Sequence, residues 1–233
     1  MIVRSCLFFI RLMSPEIIQA LVGLLEAKDM STAAHTWRVV LYTRALGERA
    51  GADHDLLERL TVAAALHDIG KIEIPSAILQ KPGKLTDEEF QVMKTHTTLG
   101  HERLVRMGES DSVVLDLVRS HHERFDGLGY PDRLAGEQIP IAARYFAVID
   151  SFDAMTSLRP YRRDTGEGAA ERAIDELQRG IGNRYCPGTV EMFVEMYRAG
   201  GLAWILEYFN DAAQVPALAG LTEVSKARPS ARK

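Results

Sequence analysis

The chain contains 233 residues, of which 46% are hydrophobic and 26% are charged, and its formal net charge is −4. This balance excludes a largely disordered chain and gives no reason to expect a nucleic-acid polymer as a partner. No uninterrupted apolar run approaches the roughly 20 residues of a membrane-spanning helix. The two cysteines cannot supply a disulfide framework. We therefore predict a soluble, cytoplasmic protein without a membrane span.

The pattern predicts one main domain with two terminal extensions. Residues 1–13 form an apolar leader whose role the pattern does not define, and the domain covers residues 14–213. From residue 214 the composition turns to Ala, Ser, Arg and Lys, so residues 214–233 are predicted to form a flexible tail. The Pro- and Gly-rich segments 74–84 and 126–140 are too short to separate domains and are predicted as loops.

Helical spacing of apolar residues runs through nearly the whole domain. Ser14 and Pro15 suit the start of the first helix, and Asp53 suits the N-cap of the third. Thr86 followed by Glu89 is typical of a capping box. No segment shows the sustained alternation of a half-buried strand, so the sequence predicts an all-α fold. After the first helix, the predicted helices cover residues 32–50, 53–66, 87–107, 111–122, 140–158, 167–179, 188–199 and 201–213.

Clustered histidines and aspartates carry the chemical signal. His67 and Asp68 end a strongly apolar helix, where a buried charge is costly unless a cation compensates it. His121 and His122 are adjacent, so both reach one centre only near a helix end. Asp150 stands in another mostly apolar helix. This ligand set favours divalent iron or manganese over zinc. Spacing alone leaves open a set of unrelated helix ends and surface histidines.

An ordered series of motifs resembles the HD-GYP family of cyclic di-GMP phosphodiesterases, a branch of the HD phosphohydrolase superfamily. The motifs are HDIGK at 67–71, KPGKL at 81–85 and HHERFDGLGYP at 121–131, with further similarity at 150–156 and 159–162. The resemblance covers residues 29–193. It implies a single HD-type helical domain with a metal site in the helix bundle.

The resemblance also implies a set of site residues. Asp68 would bridge two divalent metal ions, and Asp68 and Lys71 would act in catalysis. Ser31 stands where family members with a third metal carry a carboxylate, which is why two metals are expected. The implied metal ligands are His35, His67, Asp68, His96, His121, His122 and Asp150. The implied substrate-binding residues are Lys71, Tyr130, Arg159 and Arg162.

The implied activity is hydrolysis of cyclic di-GMP to linear pGpG, by attack of a metal-bridging hydroxide on phosphorus. Whether GMP is a further product, and whether cyclic GMP-AMP is accepted, stays open. The implied partners are cyclic di-GMP, diguanylate cyclases or other signalling proteins, and a second copy of the chain. Two alternatives remain: a non-catalytic cyclic-dinucleotide-binding or scaffold protein, and another HD-type nucleotide phosphohydrolase.

Overall fold

The computed structural model describes residues 13–28, 33–157 and 168–208 of the chain. In these ranges the regular structure is helical, with two isolated β-bridges and no longer strand, so the predicted all-α fold is confirmed. The helices are α1 (Pro15–Lys28), α2 (Ala33–Arg49), α3 (His54–Leu66), α4 (Ser76–Leu79), α5 (Asp87–Lys94), α6 (His96–Arg106), α7 (Ser112–Ser120), α8 (Ile141–Thr156), α9 (Ala169–Arg179), α10 (Pro187–Arg198) and α11 (Ala203–Tyr208). Two short 3-10 helices cover Ile69–Glu73 and Gly136–Gln138.

Several sequence predictions fall outside the described residues. These are the leader up to residue 12, the tail 214–233, and the positions of Ser31, Arg159 and Arg162. Their assignments stay predictions. Among the described helices, none combines the length and the apolar character needed to cross a bilayer.

The predicted helix starts at Asp53 and Thr86 are present. The Asp53 carboxylate accepts a hydrogen bond from the Leu56 amide at 2.8 Å. Thr86 and Glu89 form the reciprocal capping box, in which each side chain bonds the other residue's backbone N–H. These bonds satisfy amides that have no partner inside the helix, and they fix where α3 and α5 begin.

The prediction of one continuous helix over residues 87–107 is wrong. Residues 87–107 form two helices, α5 and α6, which meet at Thr95. The Thr95 hydroxyl donates to the Val92 carbonyl at 2.7 Å, and His96 Nδ1 donates to the Met93 carbonyl at 2.7 Å. Side chains thus take carbonyls that a continuous helix would use, and the chain turns so that His96 begins α6.

The core lies where α2 packs against α3, α8 and α10. Tyr42, Phe152 and Phe193 are fully buried and make edge-to-face contacts, with 5.6 Å between the ring centroids of Tyr42 and Phe152. Burying one such side chain contributes about 1.5–3 kcal/mol. Phe146 extends this core to the functional residues, because its ring lies 4.6 Å from that of His67.

Glycine is required at one close approach between elements. A Cβ atom on Gly70 would lie 1.8 Å from the His96 carbonyl oxygen and 2.5 Å from the Gly100 amide nitrogen. The 3-10 helix Ile69–Glu73 therefore rests directly on the backbone of α6. This contact holds the residues that follow α3 against the start of α6.

Candidate metal centre

The residues predicted as metal ligands come together at one place in the helix bundle. Two groups of three form there, and the ligand atoms within each group lie within 4.8 Å of one another. We name them the first triad and the second triad. The first triad is His35, His67 and Asp150. The second triad is His96, His121 and His122.

Asp68 lies between the two triads. Its Oδ2 atom is 3.1 Å from Nε2 of His67, in the first triad. Its Oδ1 atom is 3.4 Å from Nε2 of His96 and 3.9 Å from Nε2 of His121, in the second triad. The ammonium group of Lys71 is 2.7 Å from Oδ2. One carboxylate thus contacts both groups and a cationic side chain.

Helix ends orient three of the histidines. His67, His96 and His121 each follow or begin a helix, and each donates from Nδ1 to the carbonyl oxygen three residues earlier, at 2.8, 2.7 and 3.0 Å. Such carbonyls at the C-terminal end of a helix have no amide partner within it. These bonds fix the tautomer, so the Nε2 lone pair of each ring points into the centre.

His35 is oriented by a residue that the sequence reasoning did not single out. Asp153 is fully buried and accepts hydrogen bonds from His35 Nδ1 at 2.7 Å and from Arg38 Nε at 2.6 Å. The Ser157 hydroxyl donates to the same carboxylate at 3.0 Å. Asp153 stands three residues after Asp150, on the same face of α8. This spacing is the sequence feature that could have identified Asp153 as part of the site.

The donor atoms fit bound cations. Nε2 of His96 and Nε2 of His121 lie 3.3 Å apart, although both rings already use their Nδ1 proton elsewhere. Two lone pairs therefore face each other, an arrangement that a cation between them would stabilise. Imidazole nitrogens and carboxylate oxygens without sulfur suit borderline divalent metals such as iron or manganese.

The electrostatic environment keeps three of the candidate ligands in their metal-binding forms. Burial and neighbouring imidazoles hold the pKa of His121 well below its usual value, and burial lowers the pKa of His122 to about 3. Both rings are therefore neutral at pH 7. Burial acts to raise the pKa of Asp68, but His67 and Lys71 outweigh it and hold that pKa well below the usual range. Asp68 is therefore ionised.

His67 shows the opposite balance. Burial acts to lower its pKa, whereas the charge and the hydrogen bond of Asp68 raise it, and the net direction is upward. In the metal-free protein Asp68 thus favours the protonated form of His67. A metal ion at the same place would displace that proton.

The other predicted site residues have different positions. The Tyr130 ring lies 4.9 Å from the His122 ring, in the loop between α7 and α8. Lys71 borders the centre, as described above, whereas Arg159 and Arg162 lie outside the described residues. His54 is exposed and His101 is half-buried, and neither belongs to a triad.

An all-α bundle in which one aspartate links two histidine-containing triads defines a protein with a candidate dinuclear metal centre. Comparison with known families agrees with this class. The HD domain family model matches residues 19–188, and the chain belongs to the HD domain family.

Curated relatives support the resemblance found in the sequence. A cyclic di-GMP phosphodiesterase of Thermotoga maritima is 44% identical over 185 residues, which cover 78% of this chain and 49% of that protein. A 3′3′-cGAMP-specific phosphodiesterase 2 of Vibrio cholerae is 37% identical over 183 residues, which cover 78% of this chain and 34% of that protein. The chain thus spans at most about half the length of these relatives. The predicted similarity to cyclic-dinucleotide phosphodiesterases is confirmed.

Solved structures share the fold. A cyclic GMP-AMP specific phosphodiesterase of V. cholerae superposes with a TM-score of 0.60 at 17% identity, covering 83% of this chain and 50% of that one. The HD domain of a Listeria monocytogenes phosphodiesterase superposes with a TM-score of 0.54 at 15% identity, covering 84% of this chain and 99% of that one. At these identities the likeness concerns the fold.

Proposed function

We propose that this chain is a metal-dependent phosphodiesterase that hydrolyses cyclic di-GMP. The observation that carries the proposal is the position of Asp68, whose two carboxylate oxygens face different triads. This is the arrangement that a shared ligand of two metal ions requires. The proposed substrate is inferred from the relatives that are named as cyclic di-GMP phosphodiesterases.

The two triads and Asp68 would hold two divalent ions, with iron or manganese as the proposed metals. Bound ions would lower the pKa of water and stabilise the charge that develops on the phosphodiester. Of these ligands, His121 and His122 are neutral and Asp68 is ionised at pH 7, so these three need no change of protonation before metals bind, whereas metal binding at His67 competes with a proton. Asp153 keeps His35 in position, because the hydrogen bond to Nδ1 leaves Nε2 as the ligand atom.

Lys71 and Tyr130 are proposed to contact the substrate phosphate. The Lys71 ammonium lies at the edge of the centre, where a positive charge stabilises developing negative charge on phosphate oxygens. Burial raises the pKa of the Tyr130 hydroxyl above its usual value, so the group keeps its proton and is available as a hydrogen-bond donor. Arg159 and Arg162 remain proposed contacts from the family resemblance.

The reaction adds water across one phosphodiester bond and gives linear pGpG. Cleavage of the second bond would give GMP. Cyclic GMP-AMP is a second candidate substrate, because three V. cholerae relatives at 36–37% identity are named as specific for it. Cytoplasmic localisation, diguanylate cyclase partners and a homodimer stay predictions.

The decisive experiment measures metal content and turnover in the same sample. The protein is purified without oxygen, its iron and manganese are quantified, and hydrolysis of cyclic di-GMP and cyclic GMP-AMP is followed by chromatography. We expect about two metals per chain and release of pGpG. Asp68→Ala should abolish turnover and lower the metal content, whereas the exposed His54→Ala should change neither.

Either of two results would overturn the proposal. A fully metallated protein that binds cyclic di-GMP without hydrolysing it would identify a signal-binding or scaffold protein. Hydrolysis of nucleoside phosphates, with no turnover of cyclic dinucleotides, would identify another HD-type phosphohydrolase.

A further inference from the structure

A row of rings leads from the second triad towards the solvent. The Tyr130 ring lies 4.9 Å from the His122 ring, tilted by 34°, and the Phe90 ring meets the Tyr130 ring edge-on at 6.5 Å. The ammonium group of Lys94 lies 4.8 Å from the Phe90 ring centroid and 5.5 Å from the Tyr130 ring centroid. We name Phe90, Lys94 and Tyr130 the aromatic shelf.

Packing in the hydrophobic core does not account for the aromatic residue at position 90. Its side chain is 44% exposed, and it is the one aromatic residue among the large hydrophobic side chains that the described ranges leave exposed. The core of the domain is formed by other residues, and Phe90 is not part of it. An exposed aromatic ring that only the Tyr130 ring separates from a candidate metal ligand, His122, has the character of a ligand contact.

The position of the aromatic shelf is fixed relative to the metal centre. Phe90 and Lys94 lie on α5, whose start is held by the capping box at Thr86. At its other end, the Met93 carbonyl accepts the hydrogen bond from Nδ1 of His96. The helix that presents Phe90 thus also orients a ligand of the second triad. A substrate phosphate at the centre would therefore have the shelf at a defined place beside it.

We propose that Phe90 and Lys94 form a base-binding subsite, in which one purine of the cyclic dinucleotide stacks on Phe90 and the Lys94 ammonium, which lies over that ring in the free protein, moves to the acceptor edge of the base. This inference rests on the proposed phosphodiesterase function. Every purine has a π-face that stacks on an aromatic ring, and such contacts recur wherever proteins hold unpaired bases. In cyclic di-GMP each base is one ribose away from a phosphate, so a phosphate at the metal centre places a base nearby.

Lys94 gives the subsite a preference for guanine. Guanine presents two acceptors, O6 and N7, on one edge, whereas adenine presents a donor amino group beside N7. An ammonium group carries only donors. Lys94 therefore matches the guanine edge and is opposed by the adenine amino group. Its place against the two rings is stabilised by cation–π attraction before any ligand binds.

Kinetics of Phe90 variants give the first test. Phe90→Ala should raise the KM for cyclic di-GMP by about tenfold and leave kcat within about twofold, because stacking binds the base without acting at phosphorus. Phe90→Trp should retain the wild-type KM. Val92→Ala is the matched control, since Val92 is an exposed apolar residue on the same helix. Metal content is measured for each variant and should not change.

A binding signal separates stacking from a structural effect. A cyclic dinucleotide carrying one 2-aminopurine is mixed rapidly with the metal-loaded protein, and its fluorescence is read before turnover. Stacking on Phe90 should quench the fluorescence in the wild-type protein and in Phe90→Trp. Phe90→Ala should lose most of the quenching and bind about tenfold more weakly. Equal quenching and equal KM in Phe90→Ala would overturn the subsite.

Lys94→Met tests the guanine preference, because it removes the charge and keeps a long side chain against the rings. The ratio of the dissociation constants for cyclic di-AMP and cyclic di-GMP should fall by about tenfold. An unchanged ratio would overturn the role of Lys94. Failure of the proposed function has a different signature: the wild-type protein would hydrolyse no cyclic dinucleotide, whereas the fluorescence experiment would still report whether a base stacks on Phe90.

Discussion

At the scale of single residues, the candidate centre depends on side chains that bind no metal as much as on its ligands. Asp153 illustrates this, because its carboxylate holds His35 and Arg38 in one buried network. Burial acts to raise the pKa of Asp153, but the hydrogen bond and charge of His35, together with Arg38, lower it to about 2. The group is therefore a permanent anion that orients His35.

Asp153→Asn should weaken metal binding. The amide cannot carry the negative charge that makes His35 a stronger ligand, and loss of such a supporting group typically costs about 10–100-fold in metal affinity. It also leaves the Arg38 charge buried without its anion, which costs about 3–5 kcal/mol of stability. Metal titration against a competing chelator measures the first effect, and urea denaturation measures the second.

Ser157→Ala is the control for Asp153→Asn. It removes the hydrogen bond to the same carboxylate and the one that Ser157 accepts from Arg38 at 2.7 Å, and it leaves both charges in place. We expect a loss of about 1.5–3 kcal/mol in stability and little change in metal affinity. Equal metal affinities in Asp153→Asn and Ser157→Ala would show that the charge of Asp153 does not support the centre.

At the scale of elements, the site depends on how closely the Ile69–Glu73 turn approaches α6. Gly70→Ala should be destabilising, because the added Cβ would meet the backbone of His96 and Gly100, which cannot move as a flexible side chain can. Overpacking of this kind costs about 1–3 kcal/mol. It should also displace Lys71 from Asp68 and lower turnover. Urea denaturation of the metal-free variant and its activity with metal measure the two effects.

The matched control for this prediction is Gly23→Ala in α1. A Cβ on Gly23 meets nothing within 4 Å, and alanine is favoured over glycine inside a helix by about 0.5–1 kcal/mol. The two identical substitutions should therefore change stability in opposite directions. Equal stability of the Gly70→Ala variant and the wild-type protein would contradict the close packing of the turn on α6.

The same elements explain what the sequence could and could not predict. Apolar spacing and caps are local, so the start of α5 at Thr86 was predicted directly, and the predicted helix 111–122 ends two residues earlier in the structure, at Ser120. The break between α5 and α6 could not be predicted, because it depends on the bonds that Thr95 and His96 make to carbonyls of α5. The 3-10 helix Ile69–Glu73 was missed because its place against α6 depends on tertiary packing.

For the candidate site, the sequence supplied the ligand set through the family motifs, and the structure brings those residues into two triads. It did not supply the supporting role of Asp153. A carboxylate in an apolar helix is equally consistent with a metal ligand and with a residue that holds a ligand, and only the fold separates Asp150 from Asp153. Phe90 was missed because hydrophobic spacing does not distinguish a buried ring from an exposed one.

At the scale of the whole molecule, the buried histidines tie folding to pH. The pKa values of His96, His121 and His122 are lowered by burial in the folded metal-free protein. In the unfolded chain a histidine has a pKa of about 6.5. Below that pH the unfolded state binds more protons than the folded state, so the free energy of unfolding falls as the solution is acidified. His67, whose pKa is raised, acts in the opposite sense and offsets part of this fall.

The metal-free protein should therefore lose stability between pH 6.5 and pH 5. His122, with a pKa of about 3, remains neutral in the folded state over this range, so it alone accounts for a loss of about 2 kcal/mol. Urea denaturation at several pH values in the presence of a chelator gives the slope. His122→Gln should flatten that slope, whereas His54→Ala, at an exposed position, should flatten it little. A buried imidazole that stays neutral in the folded state makes unfolding easier in acid. An unchanged slope in His122→Gln would therefore show that His122 does not cause this pH dependence.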